Sequence, residues 1–126
     1  MAERKLLIID DESDIREVAA MSLEAVCGWC VVQACSGKEG LELAQEQSPD
    51  AILLDVMMPD LDGPSTLQLL RSNSATAQIP VIFLTAKVQS ADRKRFSDLG
   101  VAAVLSKPFD PMVLGEQIAE ALGWSL

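Results

Sequence analysis

Histidine and tyrosine occur nowhere in these 126 residues, and aromatic side chains of any kind make up only 4% of them. Without histidine the chain lacks the side chain that most often shuttles protons near neutral pH and most often ligates zinc. Its chemistry must therefore rest on carboxylates, hydroxyls and lysine. Positive charge is also scarce: ten Lys and Arg stand against nineteen Asp and Glu, a net charge of −9. Such a surface repels phosphate backbones and anionic lipid heads, which argues against direct nucleic-acid or membrane binding. Long apolar runs are missing too. Arg4 and Lys5 precede only Leu6 to Ile9 before acidic residues follow, so neither a signal peptide nor a membrane span is expected, and a cytoplasmic location is. Three cysteines are an odd count in a chain without an export signal, and they imply no disulfide framework.

What is present is a repeating pattern. Nearly half of the residues are apolar, enough for one compact domain over residues 1–126 that buries roughly two-thirds of its unfolded surface. Short apolar runs at Lys5–Asp10, Trp29–Ala34, Ala51–Asp55, Pro80–Thr85 and Ala102–Leu105 read as five strands, each followed by a segment of helical length. Ile15, Val18, Ala19, Ser22 and Val26 share one face of the first helix, and Leu114, Ile118, Ala121 and Leu122 one face of the last. Asp14 with Glu17 and Ser36 with Glu39 suit capping boxes, and Asp62-Gly63-Pro64 and Asp110-Pro111 place proline early in a turn. In the fourth helix, around Ser90 to Leu99, only Ala91, Phe96 and Leu99 are available as anchors. Strand and helix in strict alternation imply an α/β fold: a parallel sheet, doubly wound, with helices on both faces. Ile52-Leu53-Leu54 reads as a strand buried on both sides.

In parallel sheets of this type, ligands bind outside the carboxyl ends of the strands. Asp10 and Asp11 end the first strand, Asp55 the third and Thr85 the fourth, while Lys107 closely follows the fifth. Carboxylates gathered on one rim repel each other, and a divalent cation relieves that repulsion. An all-oxygen donor set without histidine or thiolate fits Mg²⁺ together with a phosphoryl oxygen.

These segments resemble the receiver domain of two-component response regulators along essentially the whole chain. The resemblance is carried by Leu7-Ile8-Ile9-Asp10-Asp11, by Leu53-Leu54-Asp55-Val56-Met57-Met58-Pro59-Asp60 with Gly63, by Pro80-Val81-Ile82-Phe83-Leu84-Thr85-Ala86 and by Ser106-Lys107-Pro108-Phe109. It implies a flavodoxin-like (βα)5 sandwich with strand order 2-1-3-4-5. It implies that Asp55 accepts a phosphoryl group from a histidine kinase or a histidine phosphotransfer protein. Asp11, Asp55 and the backbone carbonyl of Met57 would then bind Mg²⁺, with Asp10 acting directly or through water. Lys107 and the Thr85 hydroxyl would hold the phosphoryl oxygens, small Ala86 would leave them room, and Pro59 and Gly63 would shape the loop after Asp55. Such a domain is a regulatory phosphoacceptor and not an enzyme acting on an external substrate; its effector would bind the surface of the fourth helix, fifth strand and fifth helix. The chain as written reads as a stand-alone receiver whose output passes through another protein.

Two rival functions have some footing. Cys27-Gly28-Trp29-Cys30 has the spacing of a thiol-disulfide oxidoreductase, but it spans a helix end and the start of a strand, whereas reactive pairs gain thiolate character at a helix start. An aspartyl-phosphate hydrolase would use Asp55 as nucleophile and a second Asp two residues on as general acid, and that position is Met57. Two departures from the family pattern are also visible. Three residues before Lys107, relatives often carry a Tyr or Phe that reorients on activation, and here Val104 stands. The side chains expected to flank the phosphoryl site, Met57 and Lys87, cannot readily activate water, which implies slow self-dephosphorylation.

Overall fold

The computed structural model describes residues 4–86 and 89–125; Lys87 lies outside them. Strands β1 Lys5–Ile9, β2 Cys30–Ala34, β3 Ala51–Asp55, β4 Val81–Thr85 and β5 Ala103–Ser106 alternate with helices α1 Ser13–Ser22, α2 Gly37–Gln47, α3 Gly63–Ser72, α4 Ser90–Ser97 and α5 Leu114–Leu122. All strand pairs are parallel, in the order β2-β1-β3-β4-β5. The doubly wound fold expected from the alternation is the one observed.

Side chains alternate across a pleated strand, so each central strand feeds two cores. Leu7, Ile9, Ile52, Leu54 and Phe83 pack with Ala44 of α2, Leu67 and Leu70 of α3 and Phe96 of α4. Leu6, Ile8, Leu53, Ile82 and Leu84 pack on the other face with Ala19 of α1 and Leu114 and Ile118 of α5. Every residue of β3 and β4 is buried, each Leu or Ile contributing about 1.5–3 kcal/mol by leaving water. Two packed faces leave only the strand ends for polar chemistry.

Local signals were obeyed unevenly. Ser36 caps α2, accepting from the Glu39 N–H at 3.1 Å, and Glu39 Oε1 accepts from the Cys35 N–H at 2.7 Å, one residue before the expected position. Asp62 caps α3 by accepting from the Ser65 N–H at 2.8 Å, and Pro64 occupies its first turn. Asp14 is not a cap: α1 begins after Glu12, which makes no side-chain capping bond, and Asp14 sits inside the first turn. Asp110-Pro111 forms a turn that precedes α5 rather than opening it.

The inward face of α1 also differs from the expected one. Val18 and Val26 are 44% and 51% exposed, while Ala19, Ala20 and Leu23 are buried. After Ser22 the chain widens into a π-helical turn, Leu23–Cys27. The wider turn rotates the side chains beyond Ser22, so the 3.6-residue spacing no longer places Val26 inward. Gly28 ends it with φ +70°, in the left-handed region where glycine carries no Cβ penalty. In α4 only Phe96 is buried; Ala91 and Leu99 are exposed and anchor nothing.

Candidate functional site

Parallel strands deliver their carboxyl ends to one rim. Asp10 and Asp11 directly follow β1, Asp55 is the last residue of β3, Thr85 the last of β4, and Lys107 follows β5. Pairing of Asp55 with Leu84 and of Thr85 with Ser106 sets the depth of these groups. Asp10, Asp55 and Thr85 are buried at 1%, 3% and 1% exposure, although their types favour water. Asp11 is exposed.

The backbone fixes both buried carboxylates. Asp10 Oδ1 accepts the Glu12 N–H at 2.9 Å, and Asp55 Oδ1 accepts the Met57 N–H at 3.3 Å. Lys107 joins them through its ammonium, with Nζ 2.9 Å from Asp10 Oδ2 and 3.3 Å from Asp55 Oδ1. Asp10 Oδ2 meets Lys107 as an ion pair without hydrogen-bond geometry, and Asp55 Oδ2 accepts no hydrogen bond among the described residues. Buried carboxylate oxygens left short of donors are costly unless a cation or a ligand donor meets them.

Burial pushes the Asp55 carboxyl up to about 7, the Asp10 charge pushes in the same direction, and Lys107 with the Met57 N–H pulls back only in part. Burial alone would lower the Lys107 ammonium, but the Asp10 and Asp55 carboxylates outweigh it and hold Lys107 above its ordinary value. The pocket therefore has an excess of negative charge that one lysine does not cancel. Asp10, Asp11, Glu12 and Asp55 each offer a carboxylate oxygen, all within 4.8 Å of one another. This hard, all-oxygen set, with an oxygen short of donors, fits Mg²⁺.

Glu12 was not expected here. Its Oε1 lies 3.3 Å from Lys107 Nζ, and the signal that could have revealed it is the third consecutive acid in Asp10-Asp11-Glu12. Arg16, also missed, donates from Nη1 to the Asp10 carbonyl at 2.7 Å and secures the turn into α1.

The loop after Asp55 turns back sharply. The Gly63 N–H donates to the Val56 carbonyl at 2.9 Å, and a Cβ on Gly63 would fall 2.6 Å from the Asp55 carbonyl oxygen. Only glycine permits that approach. Met57 projects into solvent at 58% exposure. With Val56, Met58, Pro59, Asp62, Pro64 and Arg95 it lines a cleft of about 520 Å³ between this loop and α4. Ala86, beside Thr85, is exposed, and Val104 is buried with Phe83 and Phe96.

The Cys-x-x-Cys residues lie away from this rim, Cys27 closing the π-helical turn and Cys30 opening β2, and all three cysteines are free. Burial, with help from Glu116, raises the Cys27 thiol, the opposite of activation.

Residues 6–119 match the family described as response regulator receiver domain. The chain is 42% identical over 106 residues to the DNA-binding dual master transcriptional regulator RpaA of Synechocystis, covering 84% of this chain and 44% of that protein. It is 39% identical over 120 residues to a probable transcriptional regulator, ycf27, of Guillardia theta, covering 95% and 46%. The chain thus spans about half the length of these relatives. Among solved structures, the chemotaxis protein CheY4 of Vibrio cholerae superposes with a TM-score of 0.88 at 29% identity, covering 95% of this chain and 99% of that one. A Francisella response regulator receiver domain superposes with a TM-score of 0.86 at 30% identity, covering 96% and 98%.

Proposed function

The chain belongs to the response regulator receiver domain family, a two-component signalling switch, and from that premise we propose that it takes a phosphoryl group on Asp55 with Mg²⁺ as cofactor. One observation carries the reading: the strand order brings Asp10, Asp11, Asp55 and Lys107 from three separate strand ends onto one rim. Asp10, Asp11 and Asp55, with the Met57 carbonyl, would hold the ion, which when bound supplies positive charge opposite the phosphoryl oxygens.

An oxygen of the Asp55 carboxylate attacks phosphorus in line. The P–N bond of the phosphohistidine donor breaks, and its electron pair returns to the imidazole ring of the kinase or phosphotransfer protein. Asp55 brings no proton to the reaction, so it must enter ionised. A group held up near 7 is partly protonated at neutral pH, and added positive charge returns it to the carboxylate. Lys107 turns its ammonium toward the new phosphoryl oxygens, and the Thr85 hydroxyl donates to them.

The domain acts as a regulated phosphoacceptor in the cytoplasm rather than as an enzyme on an outside substrate. No helix among the described residues is long and apolar enough to cross a membrane. Its effector binds the surface of α4, β5 and α5, where Arg93, Lys94 and Arg95 are exposed in an otherwise acidic chain. The transcriptional roles of the relatives describe proteins about twice as long, and the net charge of −9 here favours a protein effector over DNA. Incubation with acetyl phosphate and Mg²⁺ tests the reading: intact-mass analysis should show one phosphoryl group, stable to acid and labile to base, that maps to Asp55.

A further inference from the structure

Lys107 already supplies positive charge to the oxygens a divalent ion would use. Its ammonium lies 2.9 Å from Asp10 Oδ2 and 3.3 Å from Asp55 Oδ1, and both side chains are buried. A divalent ion held by the same two carboxylates, even through the Asp55 Oδ2 that accepts no hydrogen bond, repels an ammonium a few ångströms away. An incoming ion therefore pushes the ammonium away from Asp10 and Asp55, and a lysine whose side chain is only 11% exposed gives up two of its three carboxylate partners when it moves.

Its third contact is of another kind. Glu12 Oε1 lies 3.3 Å from Lys107 Nζ, yet the Glu12 side chain is 60% exposed. The main chain of Glu12 is fixed, its N–H donating to Asp10 Oδ1 at 2.9 Å and its carbonyl accepting from the Arg16 N–H at 3.2 Å. Its carboxylate stands in solvent, where it has room to follow a moving partner. The geometry is a fixed base with an exposed acidic arm, set at the solvent edge of the pocket.

We propose that Glu12 is a positioning residue that retains the Lys107 ammonium at the pocket mouth when a divalent cation displaces it from Asp10 and Asp55, and thereby tightens cation binding. The proposal rests on the Mg²⁺ reading of the pocket and adds a residue which that reading does not contain. Glu12 acts through Lys107 and not as a ligand, although its carboxylate lies close enough to Asp10, Asp11 and Asp55 for a direct role to be the competing explanation.

Calorimetric Mg²⁺ titration of the full chain separates the two in a double-mutant cycle of the parent, Glu12→Ala, Lys107→Gln and the double variant, with folding checked by circular dichroism. Glu12→Ala should weaken Mg²⁺ binding about threefold in the parent, the scale of one exposed ion pair, and should have no effect beside Lys107→Gln. Lys107→Met serves if the Gln variant fails to fold. Asp14→Asn, which removes the same charge from the first turn of α1, should weaken binding less than Glu12→Ala. Unchanged affinity in Glu12→Ala overturns the proposal. So does equal weakening in both backgrounds, which would make Glu12 a direct ligand, or equal weakening by Asp14→Asn, which would reduce it to bulk charge. Failure of the parent to bind Mg²⁺ at all would remove the cofactor reading itself, and labelling of Asp55→Asn by acetyl phosphate would remove the phosphoacceptor reading separately.

Discussion

The two ends of the sheet are built from opposite materials. At the carboxyl ends, Asp10 and Asp55 are buried with oxygens short of donors, and one lysine is shared among three carboxylates. At the amino ends, buried Trp29 meets Trp124 edge to face at 5.3 Å and 90°, and the Arg4 guanidinium lies 4.4 Å from the Trp124 ring centroid. Nearby, Lys5 donates its N–H to Asp50 Oδ2 at 2.8 Å. The aromatic end pairs its rings and its cations, while the acidic end gives up stability to bury two carboxylates beside a single lysine. Such a division is what a stability–function trade-off predicts.

Substitutions at either end can break that contrast. The largest effect should come from Asp55→Asn, which abolishes acetyl-phosphate labelling while leaving the melting temperature unchanged or higher; a label at full level on this variant would end the assignment. Trp29→Ala should do the reverse, costing about 3–5 kcal/mol in urea unfolding while the folded fraction still labels. A small cost there would show that the aromatic cap is ornamental. Asp11→Ala should weaken calorimetric Mg²⁺ affinity by more than about tenfold, because a unit charge at ~4 Å is worth about 4 kcal/mol at an effective dielectric of 20. Equal affinity would remove Asp11 from the ligand set.

Proton linkage sharpens the contrast further. Asp55 titrates at about 7 in the fold against 3.8 as the ordinary value. Between these values the folded chain holds a proton that the unfolded chain has lost, so this residue's contribution is full below the lower value and disappears as pH rises through the upper one. In EDTA, the difference in melting temperature between the parent and Asp55→Asn should therefore shift against the parent from pH 4 to pH 8. A flat difference would mean that Asp55 is not strained by its surroundings. The smallest effect is expected at Met57, exposed beside Asp55 and without a group to orient water. Met57→Asn should quicken loss of the label from Asp55, and an unchanged lifetime would deny this position a role.

Fold and site were legible in the sequence to different degrees. The sheet could be read because β3 and β4 are buried at every residue and therefore appear as unbroken apolar runs. The rim followed, since strand ends in a parallel sheet are fixed by those same runs. Val26 was misread because a helical period assumes a uniform helix, and the widening at Leu23–Cys27 leaves no mark in a list of hydrophobic residues. Glu12 escaped for a different reason. An exposed acid at a helix start is ordinary in sequence, and only the reach of Lys107 across from the end of β5 gives it a partner.

The attachment of α4 bears on how such a protein can change over generations. An eight-residue helix with one buried side chain, Phe96, next to an open cleft, contributes little through its remaining positions to whether the chain folds. Replacing them costs little stability, so variation accumulates there that the inner strands would not tolerate. If this helix is where partners are recognised, a lineage can alter whom it signals to without first acquiring a sturdier scaffold. Insulation between duplicated pathways could then arise by drift along Ser90–Ser97 while the acidic rim stayed the same.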